Sequence, residues 1–134
     1  FLDDETQYAN ATADLAVTAM EGIMSKYPDG VAIICSNNDD MALAAARTAK
    51  ENPAYAKTIF LGFDGQKSAC EAVAAGELTM TAAQNNFDIG YKAVETMVKI
   101  LNGEQYDKVV DTGTEIITKD TADARLAKFD EWMK

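Results

Sequence analysis

The stretch Val31-Ala32-Ile33-Ile34-Cys35-Ser36-Asn37-Asn38-Asp39-Asp40-Met41-Ala42-Leu43-Ala44-Ala45-Ala46 decides the fold. Val31 to Cys35 form a short, continuous apolar run, the pattern of a strand buried on both faces. Met41 opens an alanine-rich helix that reaches about Lys50 and closes at Asn52-Pro53. Upstream, Ala16, Met20, Ile23, Met24 and Tyr27 recur at helical spacing, so a helix is expected over residues 8–27, ended by Pro28-Asp29-Gly30. Downstream, residues 58–63 read as a second buried strand, Asp64-Gly65 as a turn, and residues 67–75 as a helix stopped by Gly76. Residues 78–83 form a third strand. Asn86 or Asp88 caps a longer helix with Val94, Met97, Val98 and Leu101 on one face, ended by Asn102-Gly103. Two β-like pieces, 108–110 and 115–118, precede a last helix, capped by Asp120 or Thr121, that runs through Leu126, Phe129 and Trp132-Met133. Strand and helix alternating over short connections predict an α/β fold on a parallel sheet. Right-handed crossovers then bring the carboxyl ends of the strands to one edge.

Composition narrows the chemistry. The 134 residues include 22 acidic and 12 basic ones, a formal net charge of −10, with 48% apolar and 25% charged types. That is the balance of a globular protein. The absence of histidine excludes a Ser-His-Asp or Cys-His nucleophile and histidine-ligated zinc. The acidic charge argues against a nucleic-acid partner, because nothing neutralises a phosphate backbone. The longest apolar run, residues 41–46, is far short of a membrane span. The opening Phe1-Leu2-Asp3-Asp4 lacks an initiator Met, a basic region and a signal-type apolar run, so the chain is expected to be processed or cut from something longer. Cys35 and Cys70 read as two buried free thiols.

Open parallel sheets take ligands at the carboxyl ends of their strands. Ser36, Asn37, Asn38, Asp39 and Asp40 follow the first strand, Asp64 the second, and Gln84 with Asn85 the third. No glycine-rich phosphate loop and no basic cluster accompanies them, which excludes a phosphate cradle and disfavours an anionic ligand. A neutral polyhydroxylated ligand fits this set. An ionised Asp accepts two hydroxyl hydrogens, and Asn and Gln each match the donor-acceptor character of a hydroxyl. Tyr8 offers a ring for the apolar face of a sugar, or a core aromatic. Structural roles compete at the other positions: Asn38 or Asp39 as a helix cap, Asp39 and Asp40 as partners of the helix dipole, and Asp64-Gly65 as a simple turn.

These segments resemble the type I periplasmic sugar-binding proteins, the ribose- and galactose-type solute receptors of bacterial ABC importers. Residues 37–46 are similar to their "N-D-x-M-A-x-G-A" segment, and Ile59-Phe60-Leu61-Gly62-Phe63-Asp64-Gly65 to "V-x-G-F-D-G". Ala75-Gly76-Glu77-Leu78 with Thr81-Ala82-Ala83-Gln84 is similar to "G-x-L-x-A-T-x-A-Q", and Ile117-Thr118-Lys119-Asp120 to their C-terminal segment. The resemblance implies a three-layer αβα, Rossmann-like parallel sheet and non-catalytic binding of a monosaccharide, pentose or hexose, without cofactor or metal. It implies that Asn38 bonds ring hydroxyls, Asp64 takes two adjacent hydroxyls, Gln84 serves as the amide at a lobe crossing, and Tyr8 stands at the stacking position. Gln at position 84 leans toward pentose-type receptors. It further implies an ABC permease as partner and an extracytoplasmic location, in the periplasm or on a Gram-positive surface as a lipoprotein.

The chain departs from that family in two ways. Tyr8-Ala9-Asn10 replaces the family's Trp/Phe-Asp-Arg, and the chain is about half the family's length. By the resemblance, 1–84 and 115–134 form the core of a second lobe that lacks its opening βαβ unit. Residues 85–114 would return to an absent first lobe, leaving Val94, Met97, Val98 and Leu101 without a partner. A missing N-terminal lobe or a second copy of the chain is expected to cover them. Two other readings stay open. The effector domain of a LacI-type regulator shares "N-D-x-x-A" and "G-F-D", but its Gly-hydrophobic-Pro-x-Asp lead-in is replaced by Asn52-Pro53-Ala54-Tyr55. A phospho-accepting receiver domain would use Asp39, Asp40 and Asp64, but also needs a lysine at the end of its last strand.

Overall fold

The apolar runs and helical stretches fold in the order α1 (Ala13–Lys26), β1 (Ile33–Cys35), α2 (Asp39–Ala49), β2 (Ile59–Asp64), α3 (Lys67–Ala75), β3 (Met80–Gln84), α4 (Asn86–Leu101), β4 (Thr114–Ile117) and α5 (Ala122–Trp132). The structure, a computed structural model, describes residues 6–133. α3 and its αL stop at Gly76 (φ +77°) fall where the sequence places them. α1 starts later than expected, at Ala13 rather than near Tyr8. Asn10 (φ +46°) and Ala11 (φ +60°) are left-handed, which breaks the helical path before Thr12 takes the N-cap position. α4 follows Asn85, not Asn86 or Asp88.

The sheet order is β1-β2-β3-β4. β1, β2 and β3 are parallel, as the alternating pattern requires. β4 is antiparallel to β3, with Gln84 opposite Thr114, so the sheet is mixed. Residues 108–110, read as a β-like piece, form no strand and are exposed.

Both parallel crossovers step the same way across the sheet, so their right-handedness puts α2 and α3 on one face. α1 packs on α2, and α5 on α3, extending that single layer. The core lies beneath it. Phe60, Thr81, Ala83 and Ile117 point in from the strands, against Met20, Leu43, Tyr55, Cys70, Val73, Leu78 and a run of alanines from α2 and α3. The alanines (Ala42, Ala45, Ala46, Ala69, Ala72) let the helices approach the sheet closely without large side chains between.

The alternate strand positions form the other face. The ladder puts Ile33, Cys35, Ile59, Leu61, Phe63, Met80, Ala82 and Ile116 side by side on it. Ile33 and Ile116 are half exposed (51% and 50%), and Ile59, Phe63 and Cys35 are exposed too. Strands buried on both faces, and two buried thiols, were therefore the wrong expectation: among the described residues no helix layer covers this face, and Cys35 opens onto it. Cys70 is buried, and that burial pushes its thiol up to about 11. β1 is also a free sheet edge, beside an open apolar groove of about 620 Å³ between it and α1. α4 buries no residue at all; Val94, Met97, Val98 and Leu101 are exposed, as the sequence implied.

Gly65 adopts φ +69°, and a Cβ there would collide with Ala83, whereas a Cβ at Gly76 meets nothing. Gly76→Ala is expected to cost about 1 kcal/mol, the left-handed strain alone. Gly65→Ala is expected to cost about 2–4 kcal/mol, strain plus overpacking. Urea titration of both variants compares the two.

Candidate functional site

The polar residues of the strand ends gather on one edge, as the parallel topology demands. Asp64 closes β2 and Gln84 closes β3 on the neighbouring strand. The Gln84 Nε2 donates to Asp64 Oδ1 at 2.7 Å. Both groups are half-buried, and the pair leaves Asp64 Oδ2 and the Gln84 side-chain Oε1 for other donors. Asp64 adopts φ +118°, a conformation rare for a residue other than glycine. Backbone strain of this kind concentrates at functional positions.

Asn38 stands at the same edge as the N-cap of α2. Its Oδ1 accepts from the Met41 N–H at 2.9 Å, and its Nδ2 donates to the Ala11 carbonyl at 3.2 Å. One amide hydrogen and one oxygen lone pair remain for a ligand. The cap reading therefore falls on Asn38 and not on Asp39, although Asp39 and Asp40 do occupy the first turn, where their charge favours the dipole. Tyr8 is 85% exposed, on the segment that Asn38 ties down through Ala11. It is not a core aromatic. Asn85 turns away, bonding Asp88 at 2.8 Å.

Beneath these groups lies Asp39, which the sequence places at the strand end as a helix cap or dipole partner but whose long-range bonds it does not show. Asp39 is fully buried. Its Oδ1 accepts from the Thr81 hydroxyl at 2.6 Å, and its Oδ2 from the Gln66 N–H at 2.8 Å. Gln66 is the N-cap of α3, so Asp39 sits at the positive end of a helix other than its own. Thr81 also accepts from the Gly65 N–H at 3.3 Å. Gly62 is a glycine because a Cβ there would strike Asp39 Oδ1. Burial raises the Asp39 carboxyl above its usual 3.8, against the lowering by Thr81 and the Gln66 amide; the neighbouring Asp64 charge also raises it.

Arg125 supports the edge from α5. It is 2% exposed, and its Nη2 donates to the Gln84 carbonyl at 2.8 Å, while Nη1 lies 3.7 Å from Glu115. Its guanidinium lies over the rings of Trp132 and Phe129. A single Arg in a stretch read only as an amphipathic helix carries no signal of this role. Among the described residues, no cluster of three His, Cys, Asp or Glu side chains could hold a metal ion.

A sequence profile described as periplasmic binding protein domain matches residues 2–105. The chain belongs to the periplasmic binding protein family. Among its relatives in that family, the ribose import binding protein of Escherichia coli K12 is 33% identical over 103 residues, 77% of this chain and 34% of the relative. The fructose import binding protein of Bifidobacterium longum is 31% identical over 125 residues, 92% of this chain and 36% of the relative. The chain thus spans about a third of the curated relatives it matches. Among solved structures, an ABC transporter solute binding protein from Agrobacterium vitis with bound D-fucose superposes with a TM-score of 0.80 at 29% identity, covering 91% of this chain and 42% of that one. Another from Mycobacterium smegmatis with bound glycerol gives 0.77 at 33% identity, covering 88% and 41%. The family's α/β fold is therefore shown on both counts.

The raised Asp39 carboxyl has a measurable consequence. Between 3.8 and its folded value, the folded chain holds a proton that the unfolded chain has released, so stability falls as pH rises through that window. Asp39→Asn removes this dependence. The stability difference between the unsubstituted chain and Asp39→Asn, from urea titrations at successive pH values, is expected to shrink or turn against Asp39 as pH rises above 3.8.

Proposed function

We propose that this chain is part of the sugar receptor of a bacterial ABC importer and binds a monosaccharide without chemical change. The observation that carries this reading is the Gln84–Asp64 pair at the carboxyl edge of the sheet. A carboxylate held through one oxygen by an amide keeps acceptor capacity for two hydroxyls. Asn38 adds a donor and an acceptor from the neighbouring strand end, and exposed Tyr8 offers a ring from the linked segment. The relatives include import binding proteins for ribose and fructose and a D-allose-binding periplasmic protein, which favours the receptor over a LacI-type regulator. Asp39 is engaged by Thr81 and Gln66, which disfavours the receiver-domain reading, where it would have to serve a cation.

On this reading, residues 1–84 and 115–134 form the core of one lobe, and 85–114 belong to the other. Three features support the division. Among the described residues, α4 buries none of its own, nothing pairs with the β1 edge, and no helix layer covers one sheet face. A missing strand and helix of the same lobe would cover the edge and the face; a first lobe would cover α4. The working protein is then extracytoplasmic, and its closed, sugar-loaded form docks on the permease. No helix among the described residues is long and apolar enough to cross a membrane.

Three experiments test this. The intact mass of the natural gene product should be roughly twice the 14.5 kDa of this chain. The isolated chain should self-associate in sedimentation; a clean monomer whose α4 amides exchange slowly would overturn the division into lobes. In calorimetric titration of the natural product with D-ribose, D-allose and D-fructose, one sugar should bind, and Asp64→Ala should weaken it by at least about a hundredfold, the loss of two charge-assisted bonds. No heat with any sugar, or full affinity in Asp64→Ala, sinks the reading.

A further inference from the structure

We propose that Asp39 and Thr81 are positioning residues of the binding site, holding the strained Asp64-Gly65 turn in the orientation that presents the Asp64 carboxylate to the ligand. The inference rests on the sugar-site reading of Asp64 and deepens it.

The argument begins with strain. Asp64 is held at φ +118° and Gly65 at φ +69°, consecutive residues in the left-handed half of conformational space. Only glycine visits that region freely, so the Asp64 conformation persists only if its surroundings enforce it. The enforcing contacts come immediately after it. The Gly65 N–H donates to Thr81 Oγ1, the Thr81 hydroxyl donates to Asp39 Oδ1, and the Gln66 N–H donates to Asp39 Oδ2. Two successive backbone amides are thus clamped by one buried carboxylate, one of them through a hydroxyl. Close packing leaves this clamp no slack. Gly62 lies against Asp39, and Gly65 against Ala83, with no room for a Cβ at either.

The chemistry of Asp39 fits a clamp better than a contact with ligand. It is fully buried, so a sugar hydroxyl does not reach it. Burying a carboxylate is costly unless it is satisfied by hydrogen bonds, and its main acceptor capacity is spent on this turn. A hydrophobic residue at position 39 would pack against the core at less cost. The carboxylate at that point secures one particular turn. That turn begins with Asp64, the residue of the proposed sugar site. Asp39 touches no ligand itself and acts through Asp64.

The test separates positioning from simple support of the fold. D-ribose binding by the natural gene product is measured by calorimetry, and thermal stability in parallel, for Asp39→Asn, Thr81→Val, Thr81→Ser and Leu78→Ala. Leu78 is buried in the core away from the edge. Asp39→Asn and Thr81→Val are expected to weaken D-ribose about tenfold or more per folded molecule. Thr81→Ser, which keeps the hydroxyl, should restore affinity to within about twofold. Leu78→Ala should lower the melting temperature at least as much as the clamp variants and leave affinity unchanged. Affinity that follows stability across all four variants, or stays intact in a folded Asp39→Asn and Thr81→Val, overturns the inference while leaving the sugar site standing. Absence of D-ribose binding by the unsubstituted protein overturns this inference, and the sugar reading itself is then judged on the other sugars.

Discussion

The buried Asp39 carboxylate is the constraint around which this edge of the molecule is organised. It belongs to α2, bonds a hydroxyl of β3, and accepts from the first amide of α3. Three elements are joined through it at one polar point. Its charge lies at the positive end of α3, and its oxygens require a glycine at position 62 on the strand between. The order of dependence runs from a buried charge, to the small residue that makes room for it, to the turn it secures, and then to the side chain that the turn displays. The site residues are the outermost consequence of that order.

The remaining polar supports obey the same logic from the other side of the sheet edge. Arg125 holds the Gln84 carbonyl, and its guanidinium is screened from water by Trp132 and Phe129. Gln84 is thereby fixed through its backbone by α5 while its side chain reaches Asp64. The apolar surfaces show the opposite condition. The bare sheet face, the free β1 edge and α4 carry exposed Ile, Phe, Val, Met and Leu side chains that no element of the described residues covers. At this edge the buried side-chain polar groups find partners, Arg125 Nε excepted, whereas the apolar faces stay uncovered among the described residues.

Much of this was legible in the sequence because it depends on local pattern. The apolar run before Asn38, the Gly76 stop and the parallel order of β1, β2 and β3 follow from residue spacing and turn chemistry alone. The unpartnered face of α4 could be read from its apolar spacing. What escaped was long-range. That Asp39 would also serve α3 and β3 depends on Gln66 and Thr81, 27 and 42 positions away. The role of Arg125 depends on a carbonyl 41 positions away. Cys35 and Ile33 look like core residues in any short window, and only the missing second helix layer leaves them in water. The late start of α1 lay in two left-handed residues, Asn10 and Ala11, the second of a type that rarely adopts that conformation.

The antiparallel pairing of β4 has a mechanical consequence. Gln84 and Thr114 are direct partners, so the chain leaves the sheet for α4 and comes back from it at adjacent positions. Everything carried by residues 85–113 is therefore attached through two parallel tethers one strand spacing apart, about 5 Å. One of the two roots is the residue whose side chain grips Asp64. The segment is therefore anchored at a residue that also belongs to the proposed site.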